Sequence, residues 1–243
     1  MDGETLFERW GLERYSRRME ADWDARARRN AAHFVATENQ DWDAEAFFES
    51  GRLAVQQQVL SDMGNVCGAW PPAEMRVIEI GCGIGRLTKS LAEVFGEVHA
   101  VDISGEMIER ARENLRPHHN VHLYRNNGWD LRDLPDGKFH FAFSFLVFQH
   151  ISSEAVVRSY FAEVRRALRP GALFKLQVQG APARPERDDT WTGLSLSLEQ
   201  CRLLAEESGF DLRHSSGEGT PEFWLWCFKG TTGNTPRSVA TAK

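Results

Sequence analysis

The sequence predicts an α/β fold with a mostly parallel sheet. Two observations predict it. From residue 76 onward, seven short apolar runs alternate with amphipathic segments until the last two, which follow each other directly. Strands alternating with helices imply βαβ units. A glycine-rich turn also joins the first apolar run to the segment after it, the kind of junction where open α/β sheets bind ligands.

The elements follow in order. Residues 1–72 read as helical: Trp23, Ala27, Asn30 and Phe34 keep helical spacing over residues 22–35. A second helix runs from Asp43 into Met63, with Ser50-Gly51 a point where it can break. Pro71-Pro72 punctuates the chain, since proline cannot continue a helix. Residues 76–80 then read as a buried strand, 81–85 as a tight loop and 87–95 as a helix. Residues 98–101 form a second strand ending at Asp102, and Ser104 caps a helix that stops near Pro117. Residues 121–124 and 139–144 are the third and fourth strands. The unbroken apolar character of the fourth suits burial on both faces. Residues 154–168 form a helix closed by Arg169-Pro170-Gly171, and 172–178 a fifth strand. Ser197 and Gln200 make a capping-box pattern for another helix. Residues 210–214 and 222–228 are the last two strands, and without a helix between them they form an antiparallel closing hairpin. Of the eight tryptophans, Trp224 and Trp226 alternate with Phe223 and Leu225, so both faces of the last strand are apolar. Residues 231–243 are small and polar and read as a disordered tail.

Composition narrows the function classes. At 243 residues, with 42% hydrophobic and 26% charged residues, the chain builds a sizeable core without staples. The net charge of -6 argues against nucleic acid, whose phosphates demand a basic excess. The arginines at 14, 17, 18, 26, 28 and 29 are interleaved with Glu13, Glu20, Asp22 and Asp24, as on a solvated helix face. Cys67, Cys82, Cys201 and Cys227 show no CxxC spacing, so neither a zinc site nor a disulfide framework is indicated, and no metal is expected. With a charged N-terminus and no apolar run of membrane-spanning length, the expectation is a cytoplasmic protein without membrane attachment. The sequence specifies no oligomeric state.

The loop Gly81-Cys82-Gly83-Ile84-Gly85 follows a strand and opens a helix. Glycines there permit positive φ and close backbone approach to a ligand. Asp102, at the end of the second strand, stands 21 residues beyond Gly81. A carboxylate there can accept from both hydroxyls of a ribose. A dinucleotide site is the rival reading, but its fingerprint is GxGxxG. Here the spacing is GxGxG, and no second mononucleotide-binding half is evident after the fourth strand.

Residues 79–85 resemble motif I of the class I S-adenosylmethionine-dependent methyltransferases. The resemblance runs on through Asp102, through Leu134-Pro135-Asp136-Gly137-Lys138-Phe139 and through residues 164–171, and covers about residues 73–230. It implies a Rossmann-like, seven-stranded sheet with an antiparallel last strand. It also implies a helical N-terminal lid (1–72), a cofactor-binding core (73–230) and S-adenosylmethionine as cofactor. By position, Gly81, Cys82, Gly83 and Gly85 would form the loop against the methionine part, with Glu79 supporting it. Asp102 would hold the ribose and Ile103 would pack on the adenine. Asn127 would bind the adenine amine and the Gly128 amide a ring nitrogen, while the Phe145 carbonyl would meet the cofactor's amine. In the lid, Arg26 would either pair with the cofactor's carboxylate or make a surface salt bridge. Two positions depart from the family: His140 stands where Asp is common, and Asn127 where an acid is common.

His150 follows the fourth strand, where the family borders the reacting methyl. A histidine there either deprotonates or orients an acceptor, or caps and packs the next helix. Gln177 and Gln179 share a face of the fifth strand, and either bind an acceptor or satisfy neighbouring loops. Trp129 and Trp191 lie where they can line a pocket. The expected function is methyl transfer to an oxygen or nitrogen of a small-molecule acceptor. The alternatives are an NAD-dependent oxidoreductase and a non-catalytic S-adenosylmethionine-binding regulator.

Overall fold

A computed structural model describes residues 6–181 and 190–231, with side chains from residue 11 onward. Past residue 231 the expected disordered tail lies outside the described residues. The strands are β1 (Arg76–Ile80), β2 (Glu97–Asp102), β3 (Val121–Arg125), β4 (Phe139–Ser144), β5 (Leu168–Val178), β6 (Phe210–Ser216) and β7 (Phe223–Lys229). They form one sheet in the order β3-β2-β1-β4-β5-β7-β6. The strand β7 runs antiparallel to both its neighbours, and the other pairings are parallel. The chain lays strands outward from β1 to β3, then returns to the centre with β4. Strand order therefore reverses between β1 and β4, and a crevice opens at their carboxyl ends.

Helices cover both faces. On one side α6 (Glu154–Ala167) and α7 (Leu198–Glu207) pack on Ile78, Ala142, Phe174 and Leu225. On the other, α2 (Ala44–Gln58), α3 (Met63–Cys67) and α4 (Thr88–Ala92) cover Val77, Phe141, Phe143 and Trp224. This double cover is why β4 is buried at every position, as its composition predicts. The β7 side chains alternate between the two cores, so both of its faces are used. On the second side Lys175 is buried; its Nζ lies 3.2 Å from Asp62, which also accepts from the Trp226 indole at 2.5 Å. That pair ties the end of the helical lead-in to β5 and β7. Breaking a buried pair of this kind costs about 3 kcal/mol.

Four boundaries differ from expectation for physical reasons. The helix α2 passes unbroken through Ser50-Gly51 and ends at Gln58. There Gly51 serves close packing instead, since a Cβ at that position would lie 2.1 Å from the Arg86 carbonyl oxygen. The long first helix, α1 (Leu6–Val35), is kinked at Asn30. The Asn30 side chain accepts from the His33 amide at 3.2 Å, and so caps a fresh turn that carries Phe34 and Val35. The helix expected over 87–95 is the shorter α4. Strand β5 begins at Leu168, four residues early, and takes Arg169-Pro170-Gly171 into the strand. A register shift between the Phe139 and Phe141 pairings absorbs them.

His140, the departure on β4, is explained by its neighbours. Its Nδ1 accepts from the Arg76 amide at 3.0 Å, and the Trp70 ring packs on it at 4.7 Å. Burial and then the Arg169 charge lower its pKa, so the ring is a neutral acceptor where a carboxylate is common.

Candidate functional site

The crevice is floored by the loop after β1. Gly81 and Gly83 have φ of 76° and 54°, a conformation that favours glycine. The Gly81 and Cys82 amides both donate to the Val101 carbonyl, at 2.8 and 3.1 Å, which ties the loop to β2. A Cβ on Gly81 would lie 2.2 Å from Val147, and one on Gly83 2.6 Å from Val35. Gly85 plays a different part. A Cβ there would lie 2.7 Å from Leu115, so its backbone packs on the end of α5 (Gly105–Asn114), and it does not line the cavity.

Two carboxyls face this loop. Asp102 accepts from the Gly83 amide at 2.8 Å and the Ser104 amide at 2.9 Å. With about four lone-pair sites, the carboxylate keeps room to accept from a ligand. Burial raises its pKa to about 6, against the pull of those amides. Glu79 is 2% exposed, and its Oε2 has no hydrogen-bond partner. Burial raises its pKa to about 7, opposed by the Thr88 hydroxyl and the Arg86 charge. Both acids thus bind a proton more tightly folded than unfolded. Their contribution to stability is full at low pH and falls as pH rises through about 6 and 7.

The cavity above the loop measures about 100 Å³ and is lined by Glu79, Gly81, Cys82, Gly83, Asp102 and Ile103, among others. Gly128 and Phe145 lie on its far wall. The Cys82 thiol is buried and stays protonated, its pKa raised first by burial and then by Asp102. Asn127 is not in the lining. Its side chain donates to Asp130 at 2.8 Å and accepts from the Trp129 and Asp130 amides, so it shapes the turn that presents Gly128. The Gly128 amide meets Asn126 Oδ1 at 3.2 Å. Trp129 packs against the core, away from the lining.

The helix α1 lies across the opening. Asp24 accepts from the Ser104 hydroxyl at 2.6 Å and the Glu106 amide at 3.2 Å, at the start of α5. Tyr15 accepts from the Ser152 amide at 2.8 Å. Met19, Trp23, Phe34 and Val35 close the roof. Of the N-terminal 72 residues, then, α1 covers the pocket, while α2 and α3 belong to the sheet's own core. Arg26 lies with its guanidinium 4.8 Å from the Trp23 ring and 5.2 Å from the Trp191 ring, a stacked cation.

A second cavity, of about 440 Å³, adjoins the first. Phe34, Val35, Leu146 and His150 line both. Its further lining includes Glu38, Gln149, Gln179, Trp191 and Glu222. His150 is buried at the boundary. Its Nδ1 bonds to the Trp191 carbonyl, which can only accept, so Nδ1 carries a proton. The Gln149 amide lies 3.2 Å from Nε2. Gln149 in turn accepts from Gln177 at 3.1 Å, and Gln177 accepts from the Leu146 amide at 3.0 Å. Leu146 has φ of 62°, the one positive value among the described non-glycine residues. The fully buried Gln177 therefore satisfies loops, whereas Gln179, just past β5, opens on the second cavity. Sequence reasoning missed Val35, Val147, Glu38 and Glu222. Apolar and acidic residues in these places carry no signal until the fold brings them together.

Residues 77–171 match a methyltransferase domain family. The chain is 27% identical over 134 residues to a malonyl-[acyl-carrier protein] O-methyltransferase of Pseudescherichia vulneris, covering 54% of this chain and 50% of that protein. It spans about half or less of the length of the curated relatives it matches. The fold is shared with an S-adenosylmethionine-dependent methyltransferase of Aquifex aeolicus: TM-score 0.56, 20% identity, 77% of this chain and 99% of that one. It is also shared with phosphoethanolamine N-methyltransferase 1 of Haemonchus contortus, seen with phosphoethanolamine and S-adenosylhomocysteine: TM-score 0.67, 17% identity, 93% of this chain and 51% of that one.

Proposed function

We propose that the chain is a class I S-adenosylmethionine-dependent methyltransferase, an enzyme transferring the methyl group of S-adenosylmethionine to a small-molecule oxygen or nitrogen; the methyltransferase domain match over residues 77–171 supports this reading. The observation that carries this reading is the pair of joined cavities with His150 at their boundary.

The residues of the first cavity fit the cofactor. The unpartnered Glu79 oxygen offers negative charge to an ammonium. The Gly81 to Gly83 backbone leaves room for the methionine part, with the Phe145 carbonyl at its edge. Asp102 accepts from ribose hydroxyls, and Ile103 with the Asn127-Gly128 turn edges the adenine. When bound, the cofactor supplies an electrophilic methyl on a cationic sulfur. Small-molecule sites measure about 300–1,000 Å³, so the roof of α1, Val35 above all, withdraws as the cofactor enters.

The acceptor then sits in the second cavity. Alignment of its nucleophile with the methyl and exclusion of water supply the rate. With the cofactor bound, the acceptor's lone pair would form the new bond to the methyl carbon and the carbon–sulfur bond would break, leaving S-adenosylhomocysteine. A proton on the acceptor leaves to water or to the His150 imidazole. Among the described residues, the charged side chains lining this cavity are Glu38 and Glu222, both acidic, and on that lining neutral or cationic acceptors are favoured over carboxylates. The experiment is a panel of amines, alcohols, phenols and carboxylic acids with S-adenosylmethionine, followed by S-adenosylhomocysteine release. Turnover of an amine, alcohol or phenol supports the reading. Methylation confined to carboxylates contradicts the acceptor preference. Cofactor binding without turnover of any acceptor favours a regulator.

A further inference from the structure

We propose that Glu97, His99 and His122 form a binding site for a divalent transition-metal ion at the β2–β3 edge of the sheet. Each residue offers one ligand atom, and these atoms lie within 4.8 Å of one another. Strand register brings them together. His99 and His122 are direct partners on adjacent parallel strands, with rings stacked at 4.6 Å. Glu97, two residues before His99, shares its face of β2. His122 is exposed and opens the cluster to solvent.

The spacing suits a metal. Zinc binds histidine nitrogen and carboxylate oxygen at about 2.0–2.1 Å, which places two ligands of a tetrahedron about 3.3 Å apart. His99 Nε2 and Glu97 Oε2 are 3.3 Å apart. A metal needs that Nε2 bare, with the ring proton on Nδ1. The Tyr124 hydroxyl lies 3.0 Å from Nδ1, and a hydroxyl accepts as readily as it donates. Tyr124 is thus the outer partner that orients a ligating imidazole. As the ion enters, the single proton of the neutral ring moves by exchange with water from Nε2 to Nδ1, so none is lost.

Two nitrogens and one carboxylate select Zn²⁺, Ni²⁺ or Cu²⁺ over Mg²⁺ and Ca²⁺, which take oxygen ligands. Water completes the coordination. One cation opposes binding: Arg76 Nε lies 3.0 Å from the same Glu97 oxygen, on a side chain that is 47% exposed and free to turn into water. Glu97 and Asp102 are at opposite ends of β2, roughly 16 Å apart at the strand rise. The ion therefore takes no part in the chemistry at the crevice; it clamps the edge strand β3 onto β2. Cysteine spacing does not reveal such a site, because its ligands come from two strands and include no thiol.

The test is titration of the full chain with Zn²⁺ by calorimetry and with Co²⁺ by visible absorption. We expect one ion per chain, a spectrum of nitrogen and oxygen ligation, and a higher melting temperature with Zn²⁺. His122→Ala, at an exposed position, abolishes the one-to-one binding, and so does Glu97→Gln. Tyr124→Phe weakens it by about 10-fold, while Arg76→Ala tightens it. No one-to-one binding by the parent chain, a thiolate charge-transfer band, or full stoichiometry retained in His122→Ala would each overturn the proposal.

Discussion

The two cavities meet at His150 but are built in opposite ways. The floor of the first is made by consecutive residues of two strand ends: the loop from Glu79 to Gly83, and Asp102-Ile103. The second collects Glu38, Gln149, Gln179, Trp191 and Glu222 from segments far apart in the chain. The first is held by backbone bonds from the Gly81 and Cys82 amides to Val101. The second is held by a relay of side-chain amides from Leu146 through Gln177 and Gln149 to His150. The lesson is that the floor of the proposed cofactor cavity rests on backbone geometry and the proposed acceptor cavity on side chains.

Substitutions separate the two. Gly81→Val breaks the first cavity outright, since its φ is 76° and its Cβ site lies 2.2 Å from Val147. We expect cofactor affinity to fall about 100-fold or more, measured by calorimetry, with the fold retained by circular dichroism. Asp102→Asn removes a charged acceptor and lowers cofactor affinity about 10- to 100-fold. Equal affinity in that variant would remove Asp102 from the ribose site.

The pH dependence sharpens the same contrast. The free protein keeps Glu79 and Asp102 partly protonated, with pKa values of about 7 and about 6. A cationic ligand favours their charged forms, so binding releases protons and cofactor affinity rises from pH 5 to pH 8. Stability without ligand moves the other way over that window. Flat affinity across it would show that these carboxyls do not face the positive charge.

On the acceptor side the effects are smaller and of another kind. His150→Ala should raise the acceptor KM or lower kcat about 10- to 100-fold, leaving cofactor affinity within about 3-fold. Near-normal turnover would make His150 a packing residue. The smallest effect belongs to Arg26→Ala. If the guanidinium reaches the cofactor's carboxylate, affinity drops several-fold. If affinity is unchanged, its work is stacking between Trp23 and Trp191.

This division explains what the sequence made legible. The seven strands, the antiparallel β7 and the residues flooring the first cavity follow from local patterns: apolar runs, a glycine loop and a spaced acid. Elsewhere a tertiary contact adds to what the local signal says. Gly51 reads as a helix break but is a packing contact with Arg86. Gly85 reads as a ligand contact but packs on Leu115. Asn127 reads as an adenine ligand, and its side chain bonds to Asp130 within its own turn. The acceptor cavity was only partly legible: His150, Gln179 and Trp191 stood out, but Glu38 and Glu222 become neighbours of a cavity only when the fold brings α1 and the β6–β7 turn together.

The most direct test of the central claim is calorimetric titration of the full chain with S-adenosylhomocysteine and, in parallel, with NADH. The account predicts one-to-one binding of S-adenosylhomocysteine, weakened in Asp102→Asn, and no binding of NADH. Binding of NADH without binding of S-adenosylhomocysteine would contradict it.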